Sequence, residues 1–289
     1  MQVLTKVGVL GAGMMGAEIA LSFAMSGYEV VMTDTSLELA EKGKGHLNRS
    51  LDRKIKKGMF EEEKRDSTLA RIILVSDYDR LKDADLVIEA IFEDLEIKQK
   101  AFAAIDKICK SECVFTTNTS SLPVTKLARS VSQDRIGTFI GTHFFSPASV
   151  MELVEVVPGV DTSQDTIEFT LDCCRKIGKT PVLVKDVTGF AVNRLLMALN
   201  VEAMRLVEEG VITVEDVDRA CKLGLGHPIG PFALMDLSGL DLNLTIAHIF
   251  YEAYGERFMP RPILKQKVYA NHLGRKTGRG WLEYNKQKT

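Results

Sequence analysis

The sequence has almost no net charge and no long apolar run. Its 37 lysine and arginine residues nearly balance 39 aspartate and glutamate residues, which leaves a net charge of -2. Nothing global therefore suggests a nucleic-acid or membrane surface, although this balance allows a local basic patch. No apolar run approaches the length that spans a bilayer. We expect small molecules or other subunits as partners, and neither nucleic acid nor membrane.

Paired cysteines are also missing. The cysteines form no CxxC pair and no Cys/His metal spacing, and they are five in number: Cys109, Cys113, Cys173, Cys174 and Cys221. This pattern predicts free thiols in a reducing compartment and no metal site. The opening segment MQVLTKVGVLGAG leaves no room for the charged, apolar and cleavage regions of a secretory signal. We therefore expect a cytoplasmic protein.

The length of 289 residues and the apolar content of 45% favour two well-packed domains. In the first half, short β-forming runs alternate with helical patterns, from KVGVL through YEVVMTD and ADLVIEAIF to CVFTTN. Helices are predicted between them at 14–26, at 37–58 and around 98–108. This alternation is typical of a parallel sheet that is covered by helices on both faces.

The pattern changes after the segment TPVLVKDVTGF. A nearly unbroken helical pattern covers 191–207, and further helical patterns follow it. We predict an α/β protein with a Rossmann-type doubly wound domain over 1–187 and an all-helical domain over 188–289, with the boundary near Thr188. The sequence contains no internal repeat and no low-complexity tract.

The segment VGVLGAGMMGAEIA contains a GxGxxG motif between an apolar strand and an amphipathic helix. Gly11 permits a tight turn, Gly13 lets the backbone approach a pyrophosphate, and Gly16 packs the helix against the strand. The pyrophosphate would bind at the helix N-terminus. The motif alone is weak, since a glycine-rich turn also explains it. The predicted contacts are Gly11, Ala12, Gly13, Met14, Met15 and Gly16.

The next strand strengthens the dinucleotide interpretation. YEVVMTD ends in Asp34, eighteen residues after Gly16, where a carboxylate can accept hydrogen bonds from ribose hydroxyls. The same carboxylate would repel a 2′-phosphate, and no arginine follows it immediately. We therefore predict NAD as the cofactor in preference to NADP.

Six segments together resemble the 3-hydroxyacyl-CoA dehydrogenase family: GAGMMGAEIA, ADLVIEAIFEDLEIK, TNTSSLP, THFFSPASVMELVEVV, KDVTGFAVNRLL and GHPIGPFALMDLSGLD. The resemblance covers essentially the whole chain, and the short form is similar to the bacterial members that act on 3-hydroxybutyryl-CoA. It implies reversible oxidation of an (S)-3-hydroxyacyl-CoA, short-chain in this case, to the 3-ketoacyl-CoA by NAD. It also implies a homodimer held by the C-terminal helices.

The resemblance places the catalytic histidine at His143 and its glutamate partner at Glu155. His143 would act as general base toward the 3-hydroxyl group, and Glu155 would orient the ring and stabilise its charged form. The residues alone leave an alternative, in which both side chains end strands in water. Both lie in the otherwise mostly apolar run GTHFFSPASVMELVEVV.

Ser120 and Asn193 match family positions that hydrogen-bond the reacting oxygens. Each has a structural alternative. Ser120 lies in a Ser/Thr cluster before Pro123, which is common turn chemistry. Asn193 shares a helical face with Asn200, and a buried asparagine can simply fix helix register.

Four further cofactor contacts are implied by the resemblance: Glu93, Lys98, Ser146 and Lys276. Ser146 departs from the asparagine that is usual in the family, which puts its contact with the nicotinamide end in doubt. Lys276 lies in a basic C-terminal stretch that also fits a solvated tail.

The segment HLNRSLDRKIKKG predicts a cationic helix face for the acyl-CoA phosphates. Ser50, Lys54 and Lys57 are spaced four and three residues apart, which places them on one face. Ser50 and Lys57 match CoA contacts of the family, and compact ammonium groups suit phosphates. A lysine-rich face is also typical of solvated surface.

Two other functions fit the same residues. One is a dehydrogenase of the same superfamily that acts on a hydroxy acid without CoA, and the other is a non-catalytic, crystallin-like NAD-binding protein. The remaining histidines have no acid partner at an interpretable spacing and are predicted to be structural or surface residues: His46, His227, His248 and His272.

Overall fold

The computed structural model describes residues 3–284, which form two compact units. The first unit extends to Phe190, and the second begins at Ala191. All five cysteines are free and buried, as the sequence predicts for thiols.

The first unit is built on one eight-stranded sheet with the order β3-β2-β1-β4-β5-β6-β7-β8. Its strands are β1 (Lys6–Leu10), β2 (Glu29–Thr33), β3 (Ile72–Val75), β4 (Leu86–Glu89), β5 (Val114–Thr117), β6 (Phe139–Phe144), β7 (Leu153–Pro158) and β8 (Thr180–Leu183). Neighbouring strands are parallel except β6 and β7, which are antiparallel. The predicted doubly wound sheet is confirmed. The strand β3 and the antiparallel direction of β7 were not predicted from the sequence.

Helices connect and cover the strands of this unit: α1 (Met14–Met25), α2 (Leu37–Lys56), α3 (Arg65–Leu69), α4 (Leu95–Asp106), α5 (Val124–Ala128) and α6 (Gln164–Lys176). Capping residues explain where two of them begin. Ser36 accepts a hydrogen bond from the N–H of Leu39, and Asp94 accepts one from the N–H of Ile97. Asp94 therefore starts α4 three residues before the predicted position.

The sheet is buried on both faces. Every residue of β4 and β5 is buried, and separate apolar clusters lie on the two sides, one around Phe23 and Met32 and the other around Phe102 and Phe115. Continuous burial of this kind is typical of a parallel sheet, and it explains the consecutive apolar residues Leu86, Val87 and Ile88 in β4.

The order of the strands determines where a ligand can bind. The chain runs outward from β1 to β2 and β3, then returns to place β4 on the other side of β1. Crossovers on opposite faces leave a crevice at the carboxyl ends of β1 and β4. The glycine-rich loop follows β1 directly, so it lines this crevice.

The second unit is helical and contains α7 (Val192–Glu208), α8 (Val214–Gly224), α9 (Pro231–Ser238), α10 (Leu240–Tyr254) and α11 (Pro262–Tyr269). Its core includes Met204, Phe232 and Phe250. The buried carboxylate of Asp236 accepts hydrogen bonds from the N–H groups of Trp281 and Leu282, which fixes the segment after α11. Within residues 3–284, no helix combines the length and apolarity needed to cross a membrane.

Candidate active site

The glycine-rich loop makes a tight turn between β1 and α1. Gly11 has a φ of +96°, and a Cβ added there would lie 2.6 Å from the carbonyl oxygen of Ala90. A Cβ on Gly16 would overlap the carbonyl oxygen of Gly11. Backbone therefore packs against backbone at both ends of the loop, and side chains are excluded by lack of space.

Gly13 differs from these two glycines because the space in front of it is open. It is the N-cap residue of α1, with no side-chain cap, and no atom lies within 4 Å of an added Cβ. Met14 is exposed at the start of the helix, and Met15 packs against the core. A helix N-terminus with free N–H groups and open space fits a pyrophosphate.

Asp34 follows β2 and faces the same loop. Its Oδ2 accepts a hydrogen bond of 2.8 Å from the N–H of Ala12, and its Oδ1 accepts one of 2.7 Å from the N–H of Thr35. Oδ1 also accepts a hydrogen bond of 3.3 Å from the hydroxyl of Thr35, whereas Oδ2 keeps a lone pair for a further donor. The carboxylate is thus oriented beside the glycine-rich loop, where a ribose would be bound.

Lys98 and Glu89 form a buried ion pair below the end of β4. The Nζ atom of Lys98 lies 2.5 Å from Oε1 of Glu89, and the two residues are 1% and 0% exposed. Lys98 also lies 3.1 Å from Oε2 of Glu93. Glu89 additionally accepts a hydrogen bond from the hydroxyl of Thr117, so the buried charges are paired and hydrogen-bonded.

Glu93 connects this ion pair to the loop that carries Ser120. Its Oε1 accepts hydrogen bonds from the N–H groups of Ser120 and Ser121, at 2.9 and 3.1 Å, and from the hydroxyl of Thr119. Burial alone would raise the pKa of Glu93, but Lys98 and these hydrogen bonds outweigh it and lower the pKa. Glu93 and Lys98 therefore hold the Ser120 loop, and the supporting residue Glu89 was not predicted from the sequence.

His143 and Glu155 lie directly opposite each other on the antiparallel strands β6 and β7. The Nδ1 atom of His143 is 2.8 Å from Oε2 of Glu155, and the residues are only 7% and 1% exposed. The ring of His143 also contacts those of Phe145 and Phe190. The alternative that both side chains end strands in water is wrong, because the pair is buried within the sheet.

Only part of the predicted cationic face of α2 is exposed to solvent. The hydroxyl of Ser50 donates to Glu18, and the Nζ atom of Lys54 donates to the carbonyl oxygen of Ser149 at 2.6 Å. Both side chains are buried, whereas Lys57 is exposed at the C-terminal end of the helix. Burial lowers the pKa of Lys54, against the opposing effect of Glu18. The solvated-surface alternative is therefore wrong for Ser50 and Lys54.

The other predicted residues lie in separate places. Ser146 is exposed in the segment between β6 and β7. In the second unit, Asn193 is partly exposed in the first turn of α7, and Lys276 pairs with Asp241 at 2.6 Å. The hydrogen bond from Lys276 lowers the pKa of Asp241. Among the described residues, no three His, Cys, Asp or Glu side chains are grouped to hold a metal ion.

Family models match both units. The model described as "3-hydroxyacyl-CoA dehydrogenase, NAD binding domain" matches residues 6–187, and the model described as "3-hydroxyacyl-CoA dehydrogenase, C-terminal domain" matches residues 189–284. The NAD-binding model agrees with the glycine-rich loop, the open helix N-terminus and Asp34. NAD is therefore the cofactor of the first unit.

Individual proteins are similar over nearly the whole chain. The 3-hydroxybutyryl-CoA dehydrogenase of Clostridioides difficile is 38% identical, across 97% of this chain and 100% of that protein. The enzyme of the same name from Bradyrhizobium diazoefficiens is 39% identical, across 99% and 97%. The crystal structure of (S)-3-hydroxybutyryl-CoA dehydrogenase from Ralstonia eutropha has a TM-score of 0.94 and 41% identity, and the match covers 98% of this chain and all of that one.

The space around Gly16 is filled and that in front of Gly13 is open, so alanine at these two positions should have different effects on stability and NADH binding. Gly16→Ala should reduce the free energy of unfolding by about 3 kcal/mol or more, because its Cβ overlaps backbone that cannot move away. Gly13→Ala should cost about 1 kcal/mol or less, since its φ of -63° suits alanine and the loss is that of a poorer N-cap. It should nevertheless weaken NADH binding about 10-fold or more, because the Cβ occupies the phosphate space. Urea unfolding and NADH fluorescence titration measure both; unchanged NADH affinity in Gly13→Ala would contradict the assignment.

The position of Asp34 predicts how cofactor preference can be changed. Asp34→Ser combined with Thr35→Arg removes the carboxylate and adds a cation at an exposed neighbouring position. The ratio of kcat/KM for NADPH over NADH should rise about 10-fold or more, because repulsion of the 2′-phosphate is replaced by attraction. Thr35→Arg alone is the matched control. An unchanged ratio in the double variant would show that Asp34 does not contact the ribose.

Proposed function

The chain belongs to the 3-hydroxyacyl-CoA dehydrogenase family, and from this we propose that it oxidises (S)-3-hydroxybutyryl-CoA or a similarly short acyl-CoA reversibly to the 3-ketoacyl-CoA, with His143 and Glu155 as its acid-base pair. The observation that carries the proposal is the buried contact of 2.8 Å between Nδ1 of His143 and Oε2 of Glu155. An ionised carboxylate only accepts hydrogen bonds, so this contact assigns the proton to Nδ1. Nε2 is then the nitrogen that acts on the substrate.

The pair performs proton transfer in both directions. In oxidation, Nε2 of His143 takes the proton from the 3-hydroxyl group as the hydride leaves C3. Bound NAD supplies the hydride acceptor. In reduction, the imidazolium returns its proton to the developing alkoxide, and Glu155 stabilises the positive ring through Nδ1–H. Because both residues are mostly removed from water, their interaction is weakly screened.

Two polar side chains complete the proposed substrate site. We assign Ser120 and Asn193 to the oxygens of the substrate, as the family resemblance implies. Ser120 is supported by its loop, because Glu93 holds the backbone N–H at 2.9 Å and thereby orients the hydroxyl. Asn193 is supported by its partial exposure at the start of α7, where its amide can both donate and accept.

The proposed cofactor contacts are the glycine-rich loop with Asp34 and, from the resemblance, Glu93, Lys98, Ser146 and Lys276. These residues differ in how far their side chains are exposed to solvent. Lys98 is fully engaged by Glu89 and Glu93, so it supports the site through them, whereas Ser146 is exposed and free to meet a ligand. Lys276 pairs with Asp241 on the surface of the second unit, and such an exposed pair is easily exchanged for another partner.

For the CoA phosphates, we propose Lys57 as the direct contact on α2. It is exposed, and it follows a last helical turn that contains Arg53, Lys54 and Lys56. The exposed ammonium groups of this end, Lys56 and Lys57, provide positive charge for phosphate. Ser50 remains a predicted CoA contact, although its hydroxyl already donates to Glu18.

The rival functions are separated by one assay. Oxidation of NADH that depends on acetoacetyl-CoA, followed by absorbance, supports the proposed enzyme. No turnover with any hydroxy or keto acid would support a non-catalytic NAD-binding protein. Turnover of free 3-keto acids that equals that of their CoA thioesters would support a dehydrogenase that does not use CoA.

We also propose that the chain forms a homodimer through its C-terminal helices. The support is apolar surface in the second unit, where Leu195, Leu223 and Leu225 are 72%, 81% and 65% exposed. Association of two chains over these residues would remove their apolar side chains from water.

If His143 and Glu155 act as one unit, their substitutions should not be additive. His143→Ala should lower kcat by roughly 10²-fold to 10⁴-fold, the usual range for general acid-base catalysis, and leave NADH binding intact. Glu155→Gln should lower kcat less, because it keeps the shape but removes the charge. The double variant should be scarcely slower than His143→Ala, since Glu155 then has no ring to orient.

Steady-state kinetics of the four proteins, each checked for folding by circular dichroism, provide the measurement. Multiplicative losses in the double variant would mean that the two residues act independently.

For the dimer, sedimentation equilibrium at micromolar concentration should give twice the chain mass of 32.0 kDa. A mass of one chain would contradict the proposed association.

A further inference from the structure

The segment between β6 and β7, residues 145–152, leads from His143 to Glu155 and contains Ser146. Its residues Ser146, Pro147 and Val150 are exposed, and Ala148 alone among its residues is buried in the apolar core. Buried side chains from three other elements bind its backbone. They come from α1, from α2 and from the turn between α6 and β8.

Two of these side chains hold Ser149 from opposite sides. Glu18 of α1 accepts a hydrogen bond of 3.2 Å from the N–H of Ser149 at its Oε2. Lys54 of α2 donates one of 2.6 Å from its Nζ to the carbonyl oxygen of Ser149. Both polar groups of the Ser149 backbone are therefore bound by oppositely charged side chains.

A third side chain holds the residues on either side. Lys179 donates from Nζ to the carbonyl oxygens of Ala148 and Met151, at 2.6 and 2.8 Å. We refer to Glu18, Lys54 and Lys179 as the loop clamp. Its three members lie far apart in the sequence, and they bind three of the four residues from 148 to 151.

The loop clamp is buried, which determines what its charges can do. Glu18, Lys54 and Lys179 are 4%, 6% and 9% exposed. Removing such charges from water is costly unless they are paired and hydrogen-bonded. Here the carboxylate of Glu18 acts on Lys54, and those of Glu152 and Glu18 act on Lys179. The loop carbonyls accept the hydrogen bonds of both lysines. Lys54 consequently points into the protein and presents little charge to a phosphate in solvent.

We propose that Glu18 and Lys54, with Lys179, are positioning residues that hold the loop after His143 in the geometry required for catalysis, and that Lys54 is not a CoA contact. This inference rests on the proposed function. The loop begins two residues after His143 and ends three residues before Glu155, so displacement at Ser149 moves His143, Ser146 or both. Misplacement of about 1 Å can cost as much as 10²-fold in rate.

The decisive variant is Glu18→Gln/Lys54→Met. It removes one negative and one positive charge together, so the net charge of the loop clamp is unchanged, and neutral side chains of similar size take their places. The amide that replaces the Glu18 carboxylate can still accept from the Ser149 N–H, but the donor to the Ser149 carbonyl is lost. Lys54→Met alone leaves Glu18 with less compensation and is informative only as a measure of stability.

We expect the folded double variant to have a kcat about 10-fold lower or more, with KM for acetoacetyl-CoA and NADH nearly unchanged. The loss should be equal with acetoacetyl-CoA and with its N-acetylcysteamine thioester, which lacks the nucleotide part of CoA. Lys57→Ala should behave differently, raising KM for the CoA thioester alone. Lys42→Met, at an exposed lysine on the same helix, is the matched control and should leave kcat unchanged.

Two results would overturn the inference. An unchanged kcat in the folded double variant would show that the clamp is only structural. A raised KM confined to the CoA thioester would show that Lys54 contacts CoA after all. Failure of the proposed function is recognised separately, because the unmodified protein would then turn over neither thioester.

Discussion

The antiparallel pairing of β6 with β7 is the constraint on which the proposed chemistry depends. Every other pair of neighbouring strands in the sheet is parallel, and a parallel arrangement would separate His143 from Glu155. Reversal of the chain places them directly opposite each other, with the imidazole and carboxylate 2.8 Å apart in the buried sheet. The reversal also requires a connecting loop beside the site, and that loop must be held by other parts of the protein.

Charged side chains, all buried except Glu93, hold two loops of the first unit. Glu89, Lys98 and Glu93 support the loop of Ser120, and Glu18, Lys54 and Lys179 bind the loop after His143. Such groups contribute little net stability, because desolvation offsets much of their attraction. They do fix geometry, since any other arrangement leaves a charge unpaired in the interior. Both clusters are thus better explained by the positions they impose than by the stability they add.

The sequence predicted the sheet, the helical second unit and the glycine-rich loop because each depends on local pattern. It did not predict burial of Ser50 and Lys54, since helical spacing identifies residues on one face but not the direction in which that face points. The pairing of His143 with Glu155 was implied by family resemblance. Their spacing alone was equally compatible with two side chains that lie at strand ends and are exposed to water. Glu18 was missed because its partners Ser50 and Ser149 are distant in the sequence, and Glu89 was missed because no motif marks its pairing with Lys98. A glutamate within an apolar strand or helix is nevertheless a signal of buried pairing.

The uncapped start of α1 has a thermodynamic consequence. A helix normally satisfies its first N–H groups with a side chain, and here Gly13 provides none. A dinucleotide phosphate bound there, as we propose, would complete the helix and so couple ligand binding to folding. By mass action, a ligand at 100 times its dissociation constant stabilises the folded state by about 2.7 kcal/mol. The resistance of this chain to unfolding and proteolysis should therefore follow the supply of dinucleotide around it, which makes its lifetime a readout of cofactor abundance.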